Sequence, residues 1–187
     1  MISVTELRAG TTFRLDKDIY EAMTYEHVKM GRGSATIRVK IKNLRSGSIT
    51  EKSFTNGAVV DPISLEKTEA QFLYKTGEEY SFMDPTTFEQ FTVPERIIGS
   101  NKGFLTEGLT VSLFSLDGEY LSMQLPIKME FTIADTPPGV KGNSASNIWK
   151  DATINTGYKV KVPLFVEIGD KIRINTGTGE YVDRVTK

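Results

Sequence analysis

Apolar and polar residues alternate in short runs along this chain, and Gly, Asn or Asp interrupt them every few positions, so the period of two predicts strands rather than helices. The clearest run is residues 35–42, which places Ala35, Ile37, Val39 and Ile41 on one face and Thr36, Arg38, Lys40 and Lys42 on the other. One face is core and the other cationic. Thr12–Leu15 and Ile19–Ala22 precede it, and Gly47 turns the chain into Thr50–Phe54. About five strands in about 60 residues suit a small closed barrel.

The pattern restarts twice. After Asp61-Pro62, Gln71–Tyr74 and Glu79–Met83 flank Gly77 as a hairpin, and Val111–Leu116 pairs across Asp117-Gly118 with Tyr120–Leu125. Residues 92–99, with Thr92 as N-cap, an early Pro94 and a closing Gly99, predict one short helix. After Leu125-Pro126 come Phe131–Ile133, an exposed Pro/Gly/Asn/Ser-rich loop over 136–147, and strands at Tyr158–Pro163, Lys171–Ile174 and Glu180–Val185. These restarts predict an all-β protein of three modules, residues 1–62, 63–127 and 128–187.

Composition removes whole classes of chemistry. With no cysteine and one histidine among 187 residues there is no disulfide, thiolate metal site or cysteine nucleophile, and no site needing two imidazoles. No metal or cofactor is expected. His27 lacks a nucleophile-elbow partner, Gly31-Arg32-Gly33 lacks the third glycine and helix of a dinucleotide fingerprint, and Glu78 and Glu79 point to opposite faces of a hairpin. No apolar run is long enough to span a bilayer, and the first residues do not resemble a secretory signal, so a cytoplasmic protein without a membrane partner is expected.

The net charge of -1 hides a division along the chain. Residues 1–60 hold ten Lys and Arg against six Asp and Glu, whereas residues 61–128 hold five against eleven. A basic first third beside an acidic middle points to a polyanion met by the first third. The strongest local candidate is the tip Lys29-Met30-Gly31-Arg32-Gly33-Ser34, where glycines on both sides of Arg32 leave its guanidinium free to reach out. A flexible turn with an incidental arginine is the competing reading. Lys29, Arg38, Lys40 and Lys42 nearby tilt the balance toward a phosphate backbone.

At this tip the chain resembles bacterial elongation factor P. Residues 27–35 look like the family's first-domain loop, commonly Val-Lys-Pro-Gly-Lys-Gly, with Met30 standing where proline is usual. Lys150, Ala152, Gly157, Val162, Pro163, Ile168 and Gly169 stand at the spacing of the C-terminal family signature. Residues 51–54, 83–90 and 179–185 also read like family segments, so the resemblance covers nearly the whole chain.

The resemblance implies an SH3-like (KOW-type) N-terminal barrel followed by two OB-fold barrels, arranged in an L shape. It implies a ribosome-bound accessory factor, not an enzyme, that sits between the peptidyl and exit sites. There it would contact peptidyl-tRNA and ribosomal RNA and relieve stalling at consecutive prolines. Arg32 occupies the position that in many members is a modified lysine and in one branch a rhamnosylated arginine, which implies a modifying enzyme as a further partner. Gly142, Asn143 and Ser144 align with a Gly-Asp-Thr segment that contacts the exit-site codon, and Tyr181 and Arg184 are RNA-contacting candidates within the C-terminal match. Three readings compete with this one: a free OB-type nucleic-acid binder, an enzyme, and an elongation factor P-like paralogue with another stall or message specificity.

Overall fold

The structure is a computed structural model that describes residues 1–28, 36–139 and 149–185, with the backbone alone for His27 and Val28. The tip residues Lys29, Met30, Gly31, Arg32, Gly33 and Ser34, and the loop residues Gly142, Asn143 and Ser144, lie outside the described residues. The described chain forms three sheets, one for each of the three stretches into which the two restarts divide the sequence pattern.

The first sheet contains β1 (Ile2–Ser3), β2 (Thr12–Leu15), β3 (Asp18–Val28), β4 (Thr36–Asn43), β5 (Ile49–Thr55) and β6 (Val59–Pro62), in the order β1-β6-β2-β3-β4-β5. It has six strands where about five were expected, because the two-residue β1 is too short to show alternation. Over the described residues the reading of β4 is borne out at Ile37, Val39 and Ile41, which are buried, and at Arg38 and Lys40, which are exposed; Lys42 is half-buried, and Ala35 lies outside the described residues. The three β4 side chains pack with Val4, Leu7, Phe13, Ala22 and Val60 into one core. Each buried aliphatic contributes about 1.5–3 kcal/mol, so the alternation of this strand holds much of the module together.

The second sheet runs β11-β10-β7-β8-β9, built from β7 (Glu66–Thr76), β8 (Glu79–Met83), β9 (Gln90–Pro94), β10 (Thr110–Leu116) and β11 (Glu119–Gln124). Asp117 and Gly118 both take positive φ, 50° and 80°, as a two-residue turn of the primed type requires. The short helix does form, but it covers only α1 (Glu95–Ile98). Thr92 is not its cap, since Gln90–Pro94 is strand; Pro94 stands at the N-cap in extended geometry and Gly99 closes the helix at φ 58°. A 3-10 stretch, Gly99–Phe104, follows that no pattern in the sequence announced.

The third sheet runs β14-β13-β12-β15-β16, from β12 (Lys128–Asp135), β13 (Trp149–Ile154), β14 (Lys159–Pro163), β15 (Lys171–Asn175) and β16 (Glu180–Arg184). Its outermost strands β14 and β16 also lie against each other, so the sheet curls into a barrel around Phe131, Ile133, Ile154, Val162, Ile172 and Ile174. Gly179 sits at φ 75° in the β15–β16 turn, where a Cβ would fall 2.3 Å from the Tyr158 hydroxyl oxygen. Only glycine satisfies both conditions.

The described chain falls into two compact units made of discontinuous segments. The first joins residues 1–68 to 93–99 and 113–123, through a cluster of Ile19, Leu44 and Leu121 with Ile63, Leu65 and Leu116 and through the Arg45–Glu119 ion pair at 3.2 Å. The second joins 69–92, 100–112 and 124–187, where the Phe104 ring packs 4.5 Å from that of Tyr158 and Thr156 Oγ1 donates to the Gly103 carbonyl.

Candidate nucleic-acid interface

Arg38, Lys40 and Lys42 share the outer face of β4, as the alternation requires, but they do not stand alone there. In the antiparallel register β3 sets Glu26 opposite Arg38 and Glu21 opposite Lys42, and β5 sets Glu51 opposite Lys40. Directly opposed residues present their side chains to the same face, so three carboxylates are interleaved with three cations. Arg38 Nε lies 3.9 Å from a Glu51 carboxylate oxygen, with both side chains well exposed. Such a pair is worth little and yields readily to a phosphate. The row is therefore a set of exchangeable donors on a nearly neutral face, rather than an unopposed basic stripe.

This row leads to the tip. The β3–β4 pairing runs from Tyr20 opposite Asn43 to Val28 opposite Thr36, so residues 29–35 connect two paired strand ends. At the other end of β4, the Asn43 side-chain oxygen accepts from the backbone N–H groups of Arg45 and Ser46 at 2.9 and 3.0 Å. Those bonds close the turn into β5 and fix the register that aligns the charged row.

Tyr181 and Arg184 stand on β16, within the second unit. Arg184 Nη2 lies 2.9 Å from an oxygen of Asp170, whose side chain is only 16% exposed and also accepts from the Glu167 N–H. Arg184 thus anchors the loop before β15 with part of its guanidinium. Tyr181 meets the indole of Trp149 edge to face, ring centroids 6.2 Å apart. Burial, together with the negative charges of Asp183 and Asp170 and despite Arg184, raises the phenol above its usual range. Trp149 was not among the residues singled out from sequence. The available signal was its outward position on β13, where Ala152 and Ile154 point inward.

Three family descriptions match the chain in order: an elongation factor P KOW-like domain over residues 3–60, an elongation factor P OB domain over 65–123, and the elongation factor P C-terminal domain over 129–184. The chain belongs to the elongation factor P family.

Membership makes it a translation factor built from small β-barrel domains of the KOW-like and OB types. Within the elongation factor P layout, Arg38, Lys40 and Lys42 fall in the KOW-like domain, and Trp149, Tyr181 and Arg184 in the C-terminal one. Among solved structures the chain is similar to eukaryotic translation initiation factor 5A from Methanococcus jannaschii. The two share 24% identity over 64% of this chain and 88% of that one, with a TM-score of 0.47. It is also similar to a translation initiation factor eif-5a family protein from Naegleria fowleri, at 16% identity over 66% of this chain and 96% of that one, with a TM-score of 0.41. No described helix is long and apolar enough to cross a membrane.

Proposed function

We propose that this chain binds the ribosome between the peptidyl and exit sites, touches peptidyl-tRNA with its first domain, and speeds peptide-bond formation at consecutive prolines. The observation that carries the reading is the succession of all three elongation factor P domains from residue 3 to residue 184. The β3–β4 hairpin supports it, because two long paired strands end at residues 29–35, which include Arg32. The contribution would be positional: a cation held near the acceptor end of peptidyl-tRNA keeps a constrained peptidyl-proline aligned, and small misplacements cost large rate factors. Arg38, Lys40 and Lys42 would exchange their carboxylate neighbours for RNA phosphates.

The test is reconstituted translation of a reporter with consecutive prolines against the same reporter with alanines. The wild-type protein from its native host should rescue the proline reporter, and Arg32→Ala should lose that rescue at an unchanged melting temperature. Equal rescue by both proteins would remove Arg32 from the proposal. No rescue by the wild type would overturn the reading itself.

A further inference from the structure

Beside Tyr181 the C-terminal barrel carries a groove of about 570 Å³ whose walls include Trp149, Tyr181, Lys159 and Lys161. We propose that this groove is a stacking site for an unpaired RNA base, with Trp149 and Tyr181 as the platform and the two lysines as partners of the flanking phosphates. The inference rests on the ribosome reading above only for the source of the strand.

Four observations converge on it. Trp149 is 46% exposed at the first position of β13, although a large apolar ring is normally buried. In an edge-to-face pair one ring's edge covers one face of the other, so most of the π-surface of the two rings remains for a third. Lys159 and Lys161 occupy alternate positions on the outward face of β14, paired in register with Thr153 and Asp151 of β13. They are thus about 7 Å apart along the strand, a span comparable with that between neighbouring phosphates of a single strand. Finally, Lys161 is held by Asp151 at 2.9 Å, yet the two side chains are 73% and 76% exposed, so a phosphate can displace the carboxylate.

The polar lining also fits a base better than a purely anionic ligand. Glu180 stands in the wall beside Gly179, and a carboxylate there repels phosphate but accepts a hydrogen bond from an exocyclic amine. Aromatic rings with adjacent cations are the arrangement by which OB folds hold single strands with little sequence preference.

Trp149 is the sole tryptophan of the chain, so its fluorescence reports on this groove directly. The full-length protein is titrated with single-stranded oligoadenylate, with the duplex of oligoadenylate and oligouridylate, and with heparin. Saturable quenching by the single strand is expected, at an affinity at least about fivefold above that for the duplex, which hides its base faces. Tyr181→Ala and the Lys159→Ala/Lys161→Ala double variant should each weaken it by about fivefold or more, with circular dichroism confirming the fold. Trp149→Leu is followed by anisotropy of end-labelled oligoadenylate and should lose affinity equally. Absence of quenching, or equal quenching by heparin and duplex, overturns the proposal. Co-sedimentation of the wild type with ribosomes separates the two readings. Ribosome binding without quenching sinks the groove alone, while quenching without ribosome binding sinks the functional proposal and leaves the groove.

Discussion

The ammonium of Lys150 donates a 2.7 Å hydrogen bond to the carbonyl of Pro137, tying the chain just before residue 140 to the chain just after residue 148. Thr136 Oγ1 donates to the Asp151 carbonyl at 2.9 Å, so two bonds lace the same pair of flanks. The end of β12 and the start of β13 are therefore held to each other by side chains as well as by the sheet. The Lys150 side chain is nearly buried and its charge faces a carbonyl dipole. Lys150→Met should cost about 1–3 kcal/mol, because it leaves that carbonyl without its donor. Thermal unfolding will show this as a lower Tm, whereas Lys159→Ala on the exposed face of β14 should leave Tm almost unchanged.

The interleaved charges of the first sheet lead to a second expectation. Glu26→Gln together with Glu51→Gln removes the carboxylates registered on Arg38 and Lys40 without touching the core. Affinity for ribosomes should rise, and its dependence on salt should steepen by about 0.7–0.9 in the log–log slope for each cation newly engaged with phosphate. Arg38→Ala/Lys40→Ala should shift both quantities the other way. Slopes that stay the same in both variants would show that the β4 row does not meet RNA.

Asn43 is expected to matter for stability out of proportion to its size. It is nearly buried, its side chain caps two N–H groups, its own N–H donates to Ser48, and its carbonyl accepts from Gly47. Asn43→Ala strips the two side-chain bonds and should lower unfolding free energy by about 1–2 kcal/mol, measurable as a lower denaturant midpoint at constant slope.

Tyr181 titrates above the ordinary phenol value of 10.0, chiefly because burial disfavours the phenolate and Asp183 repels it. The folded state therefore holds this proton more tightly than the unfolded chain does. The contribution is fully present below the unfolded value and is lost as pH rises from about 10 through the folded value. Unfolding measured across that window should show stability falling with pH, and Tyr181→Phe should flatten the fall. An identical slope in the variant would place the effect elsewhere.

Much of this was legible along the chain because it depends on neighbours in sequence. The alternation of residues 36–43 separates Ile37, Val39 and Ile41 from Arg38 and Lys40 in any antiparallel sheet, and Asp117-Gly118 selects its turn by backbone sterics alone. The family motifs, likewise, are strings of residues at set spacing.

What the tertiary structure alone decided are relationships between residues distant in sequence. Glu26 and Glu51 stand opposite Arg38 and Lys40 only through the registers of β3 and β5, which the Asn43 turn and the buried face set together. The short helix lost its expected start because pairing claimed residues 90–94 for β9, a gain in sheet hydrogen bonds that four residues of helix could not match. Trp149 and Tyr181 are 32 positions apart and become partners where β14 meets β16 at the closure of the barrel, as Lys150 meets Pro137 across a 13-residue separation. The period of a strand tells each side chain which way to face; only the closed sheet tells it whom it faces.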